Sequence, residues 1–188
     1  MKPIDRIVLD AEKIPLSGTD LNRITENKSR ILIYSDLENF QTIDEVFGDK
    51  DSLIILYQHY EKVGHWCGLI RNSSWLKNKE LYFFDPYGLR IDSEIEFSDF
   101  QIRRHEGQKV AHLSHLIRQS GYTVISNEYR YQRFKKDVNT CGRHVGLRIL
   151  YKHLTPSEYK IFLTKTHYYN ADFFATICTT PFNKIDLN

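Results

Sequence analysis

Three side chains in this sequence could together activate a thiol: His65, Asp85 and Cys141. Cys141 sits in Asn139-Thr140-Cys141-Gly142-Arg143-His144, just ahead of the apolar-periodic run Val145-Gly146-Leu147-Arg148-Ile149-Leu150. That pattern predicts a cysteine at a helix start, where unpaired backbone N–H groups and the helix dipole favour an anion. Such a setting lowers a thiol pKa and raises the thiolate fraction. His65, in Gly64-His65-Trp66-Cys67, falls at the mouth of an expected strand, and Asp85, in Phe84-Asp85-Pro86-Tyr87-Gly88, at the exit of the next. Pro86 keeps Asp85 extended, and Asp-Pro-Tyr-Gly suits a type I turn.

A hairpin between these strands would bring the imidazole and carboxylate together. With 72–78 as the connection, opposed residues have numbers totalling 150, so His65 faces Asp85 and Cys67 faces Phe83. Directly opposed Cβ atoms lie about 5 Å apart. A carboxylate there can hold one ring nitrogen and leave the other free for a thiol. Each residue also has a plainer reading, as packing, turn or helix boundary, and it is the ordered set that points to catalysis. Cys67 is the rival nucleophile on the same strand face, but two strand residues span about 6.6 Å and no helix terminus would activate it. Cys178 reads as core or as a spare thiol. His112 and His115 share a helix face but lack companions, so no metal site is expected.

The surrounding elements follow from pattern. Ser17-Gly18-Thr19-Asp20 is a helix cap leading to Leu21 and Ile24, 30–34 is a strand, and 42–47 is a helix stopped by Gly48. The continuous apolar run 53–57 predicts a strand covered on both faces. Trp66–Ile70, Leu81–Phe84 and Tyr122–Ile125 are further strands. Helices are expected over 110–120, stopped by Gly121, and over 142–153. Thr155-Pro156-Ser157-Glu158 is a capping box opening another. The first 30 residues are weakly patterned and the tail from His167 is unassigned. The order predicts a single α+β domain over 1–188, an antiparallel-rich central sheet packed against helices.

Composition narrows the partners. The chain has 188 residues, 41% hydrophobic and 27% charged, with a formal charge of +2. That balance gives no strong nucleic-acid footprint, and the short basic runs at Arg103-Arg104 and Arg133–Lys136 read as solvated faces. Three widely spaced cysteines do not form a disulfide framework. No apolar run reaches the roughly 18 residues of a membrane span, and the N-terminus lacks a signal-peptide core. An intracellular or particle-enclosed protein is expected, neither secreted nor membrane-bound.

The ordered set His65-Trp66, Asp85, Gln132, Cys141-Gly142 resembles the adenain-like and ubiquitin-like-protein-specific cysteine proteases, most of all the capsid-maturation proteases of virophages and Polinton-type elements. The matching stretch runs from about Leu53 to Leu150; the first 50 and last 35 residues carry no matching motif. The resemblance implies the fold of the adenain and SUMO-protease type and makes His65 the general base, Asp85 its orienter and Cys141 the nucleophile. Gln132 becomes the oxyanion-hole donor, although it lies nine residues before Cys141 where the family's gap is a little shorter. Trp66 would cover a narrow substrate groove, consistent with cleavage at Gly-Gly-X sites. The implied substrates are capsid precursor proteins, in the virion or the host cytoplasm, with no metal or organic cofactor. Some relatives need a peptide or DNA activator. Two alternatives remain open at this point: a deubiquitinase or deSUMOylase-like enzyme acting on host conjugates, and an inactive peptide-binding module.

Overall fold

A computed structural model describes residues 3–60, 63–97, 104, 110–165 and 170–182. The first described element is helix α1 (Pro3–Glu12), within the stretch that is weakly patterned in sequence. Its signal is the spacing of Ile4, Ile7, Val8 and Ala11, of which only Val8 and Ala11 are buried. Helix α2 (Gly18–Ile24) follows the expected capping box, with Ser17 and Asp20 satisfying each other's backbone N–H groups. Strand β1 (Arg30–Ile33) runs into a 3-10 turn (Tyr34–Asn39), and helix α3 (Ile43–Phe47) stops at Gly48, whose φ of 57° favours glycine.

The centre is a mixed five-stranded sheet in the order β1, β2 (Ser52–Tyr60), β3 (Val63–Ile70), β4 (Glu80–Phe84), β5 (Thr123–Ser126). Its two inner pairings, β2–β3 and β3–β4, are antiparallel; the outer pairings, β1–β2 and β4–β5, are parallel. The α+β class therefore holds, but the antiparallel character is confined to the middle of the sheet. Parallel neighbours need a crossover. Helix α4 (Glu94–Phe97) and helix α5 (His112–Gln119) lie in the connection from β4 to β5. Arg103 lies outside the described residues, as do 167–169 of the tail.

The β3–β4 register differs from expectation. Gly68 pairs with Phe84, Leu69 with Phe83 and Ile70 with Tyr82, so opposed numbers total 152 rather than 150. The connection is asymmetric: turns close at Ser73–Leu76 and Lys77–Glu80, and Lys79 takes a left-handed φ of 62°, so more of the loop lies on the β4 side. A two-residue slip preserves which face each side chain occupies, because strand side chains alternate with period two. His65, Cys67 and Asp85 thus stay on one side, but Cys67 rather than His65 moves opposite Asp85.

Each sheet face buries its own core. One carries Ile54, Leu56, Trp66, Ile70, Tyr82 and Phe84 against α2 and three C-terminal helices: α6 (Cys141–Leu150), α7 (Pro156–Thr164) and α8 (Ala171–Thr179). The other carries Leu53, Ile55, Cys67, Leu69, Leu81 and Phe83 against the 3-10 turn, α3, α4 and α5. This explains why 53–57 reads as apolar without alternation. Helix α6 is buried on every side, which its glycines permit. A Cβ on Gly68 of β3 would sit 3.3 Å from Val145, and one on Gly146 would sit 2.8 Å from Ile24, so both glycines are contact surfaces for neighbouring elements. Among the described residues no helix is long and apolar enough to cross a membrane.

Candidate active site

Helix α6 lies against one face of the sheet, whereas His65 and Asp85 belong to the other. They meet at the sheet's end, where β3 begins and β4 finishes. Cys141 opens α6, so the first N–H groups of that helix have no intrahelical acceptor. His65 Nε2 donates to Asp85 Oδ1 at 3.2 Å, and the ring also bonds to Cys141. With Nε2 held by the carboxylate, Nδ1 is the nitrogen left for the thiol. Burial alone would lower the His65 pKa, but the hydrogen bonds to Asp85 and Cys141 hold it well above the usual histidine range.

Asp85 is fully buried and tightly oriented. Its Oδ1 accepts the Tyr87 N–H at 2.6 Å, and Gly88 N–H closes the expected turn on its carbonyl at 2.9 Å. Asn127, just after β5, clamps its backbone: Asn127 Oδ1 accepts from Asp85 N at 2.8 Å and Asn127 Nδ2 donates to Asp85 O at 2.7 Å. No sequence feature marked Asn127 for this role. Cys67 Sγ lies 3.4 Å from Asp85 Oδ2. Burial and the adjacent carboxylate push its thiol well above the normal range, so it stays protonated and donates. Cys67 thus hydrogen-bonds the Asp85 carboxylate and is held as a thiol. Cys178 is half-buried on α8, and burial raises it too.

The remaining predicted residues converge on one cleft of about 510 Å³, lined by His65, Trp66, Tyr87, Gln132 and Cys141 among others. Gln132 is buried, and its position is set by the Asp85 turn: Tyr131 N–H and Gln132 N–H both donate to Pro86 O, at 2.9 and 3.0 Å. Its Nε2 donates one hydrogen to Val138 O at 3.0 Å. The longer interval to Cys141 is taken up by turns within 133–138, closed by Lys135 N to Arg133 O and Val138 N to Lys135 O. Trp66 is buried and donates to Leu16 O at 3.0 Å; a Cβ on Gly142 would lie 3.2 Å from its ring and 3.1 Å from Leu16. It forms a wall of the cleft beside the helix start.

Several contributors were not legible as site residues. Pro15, Leu16 and Ser17, from the stretch without a motif, line the cleft. Tyr87 stacks on His65 with centroids 4.6 Å apart and planes at 13°, and exposed Phe134 stacks on Tyr87 at 4.1 Å. Burial pushes the Tyr87 phenol up to about 12, so it stays neutral beside the imidazole. Glu94, buried on α4, approaches His65 Nε2 at 3.8 Å and His59 Nε2 at 3.6 Å.

Behind Cys141 a second buried network fixes the loop. Asp172 of α8 accepts from Thr140 Oγ1, from His144 Nε2 at 3.0 Å and from Arg133 Nε and N at 2.8 and 3.1 Å. Arg133 also pairs with buried Glu12 of α1 at 2.6 Å, and Asn139 donates to Glu12 O and Lys13 O. Arg133 is therefore a strut, not part of a solvated basic run; Lys135 and Lys136 remain exposed. His112 is partly buried against Tyr34 and His115 is exposed; among the described residues neither belongs to a set of three metal-ligating side chains.

No family model matches the chain. Uncharacterized protein V9 of Sputnik virophage is 32% identical over 149 residues, covering 79% of this chain and 83% of V9. Among solved structures, the central domain of the uncharacterized Lpg1148 protein from Legionella pneumophila aligns with 89% of this chain and 97% of its own, at 16% identity and a TM-score of 0.42. The identity and mutual coverage with the virophage protein are high enough to place this chain in the family of Sputnik virophage protein V9.

Proposed function

We propose that the protein is a cysteine endopeptidase of the adenain-like type that processes viral capsid or virion precursor proteins at Gly-Gly-X type sites. The observation that carries this reading is the buried Asp85–His65 pair, with the imidazole bonded to a cysteine at a helix start inside a cleft. Cys141 passes its proton to His65 and attacks the scissile carbonyl carbon. The oxyanion is met by N–H groups of the first turn of α6 and by the second Nε2 hydrogen of Gln132. His65 then protonates the departing amine, and water releases the acyl group from Cys141. Asp85 keeps the imidazole in the required orientation throughout. Trp66 and Leu16 narrow the cleft beside Gly142, which favours small residues near the scissile bond.

Incubation with virion precursor proteins on one side and ubiquitin-like conjugates on the other tests the substrate class. Cleavage of the precursors, abolished by Cys141→Ala, is expected. Equal cleavage by Cys141→Ala would refute the nucleophile, and selective cleavage of conjugates would replace the capsid reading with deconjugation.

A further inference from the structure

Peptide cleavage needs one partner on His65 Nε2, yet two further groups crowd that nitrogen or its partner. Asp85 Oδ1 lies 3.2 Å from Nε2, and Cys67 Sγ lies 3.4 Å from Asp85 Oδ2. Glu94 Oε1 lies 3.8 Å from Nε2. One ligand atom each from His65, Cys67 and Asp85 falls within 4.8 Å of the others, and all three side chains are buried. Around a tetrahedral zinc, ligand distances of about 2.0–2.3 Å imply ligand–ligand edges of roughly 3.3–3.8 Å. The 3.2 and 3.4 Å separations lie near those edges, and the whole set lies within 4.8 Å, so small side-chain shifts would close it around an ion. The charges match as well. Two buried carboxylates, Asp85 and Glu94, face the imidazole, and among the described residues His59 lies on the outer side of Glu94. A dication bound to one thiolate, one imidazole and carboxylate oxygen would be compensated in place.

We propose that the Nε2 side of His65 is a zinc site formed by His65 Nε2, Cys67 Sγ and an Asp85 carboxylate oxygen, with the Glu94 carboxylate, which stands outside this three-residue set, shifting inward as the fourth ligand. Binding displaces the Cys67 thiol proton and leaves the imidazole proton on Nδ1. Nδ1 can then no longer accept a proton from Cys141. Zinc occupancy therefore silences the thiol. This regulatory consequence rests on the peptidase reading, whereas the metal site itself does not.

The test uses the full chain, stripped with a chelator and titrated with Co(II) as a spectroscopic substitute for zinc. Expected is one equivalent of Co(II) bound with thiolate charge-transfer absorption and intense tetrahedral d–d bands, in both wild type and Cys141→Ser. Cys67→Ser should lose the thiolate band, and Glu94→Gln should weaken binding at least tenfold with the band retained. Absence of binding overturns the proposal. So does a thiolate band that survives Cys67→Ser and vanishes in Cys141→Ser, which would place the metal on the nucleophile. With precursor as substrate, zinc should slow the wild type at concentrations at least tenfold below those needed for Cys67→Ser. Equal sensitivity refutes the silencing but not the binding. If no substrate is ever cut, the Co(II) spectra still decide the site.

Discussion

Replacing Asp172 by alanine removes the carboxylate that ties α8 to both Thr140 and Arg133, the residues flanking the proposed nucleophile and oxyanion donor. The carboxylate is fully buried and accepts from Thr140, His144 and two Arg133 donors. Breaking a buried ion pair by deleting one partner costs about 3–5 kcal/mol. Arg133 is one-third exposed and keeps Glu12 at 2.6 Å, so part of its loss is recovered. We therefore expect about 3 kcal/mol of destabilisation, a fall in Tm of roughly 6–12 °C for a chain of this length. The pH dependence supplies a second reading. Burial would raise the Asp172 pKa, but hydrogen bonds from His144, Thr140 and Arg133 outweigh it and hold it below 3.8. A depressed carboxylate contributes stability that is present above its unfolded value and lost as pH falls through its folded value. The gap between wild type and Asp172→Ala should therefore be full at neutral pH and close only below about 3.8. Urea unfolding followed by fluorescence of Trp66 and Trp75 measures both. A penalty under about 1 kcal/mol at pH 7, or a gap unchanged down to the acid transition, would refute the network's assigned role.

Tyr87→Phe should retain the stack on His65 and near-normal cleavage, whereas Tyr87→Leu should lower kcat about tenfold and shift the pH profile of kcat/KM; identical profiles for the two would show that the ring positions nothing. Gln132→Ala should reduce kcat by about 10²–10³, the usual loss for one oxyanion donor, with little change in Tm. Gly146→Ala forces a Cβ to 2.8 Å from Ile24; overpacking of about 1–3 kcal/mol, offset by about 1 kcal/mol of helix propensity, leaves a net loss near 1 kcal/mol in urea melts. Gly64→Ala would drive a Cβ to 1.9 Å from the Tyr57 carbonyl oxygen, so the β2–β3 pairing must break locally and the melting loss should exceed that of Gly146→Ala.

Local chemistry made much of this molecule readable in advance. The caps at Ser17 and Thr155 and the stops at Gly48 and Gly121 depend on neighbours within a few positions, and each lies where its residue types indicate. His65, Asp85 and Cys141 were recognisable because strand mouth, strand exit and helix start each leave a local signature. The β3–β4 register was not, because it depends on how 71–79 folds against Lys152, whose carbonyl accepts from Ser73 and Trp75 far away in sequence. The parallel outer strands were hidden for the same reason: direction follows from crossovers, not from the four residues of Arg30–Ile33. Asn127, Glu94, Leu16 and Asp172 gain their roles only when distant segments meet. Arg133 misled as part of a basic run, since sequence cannot reveal two buried acids waiting for it.

The position of Asp172 has a consequence for the order in which the site is assembled. Thr140 and Asp172 are separated by 32 residues, and nearly everything else around the cleft precedes them in the chain. Synthesis proceeds from the N-terminus, and contacts between distant segments form only once both have emerged. The strand ends, the Asp85 turn and Cys141 itself are therefore made before the acid that seats Thr140 and Arg133. A growing chain carries the thiol through translation without its final brace, and the loop that holds Thr140 and Arg133 is seated only after α8 has docked. On the proposed mechanism, the docking of α8 would act as a delay between making the cysteine and seating the loop around it.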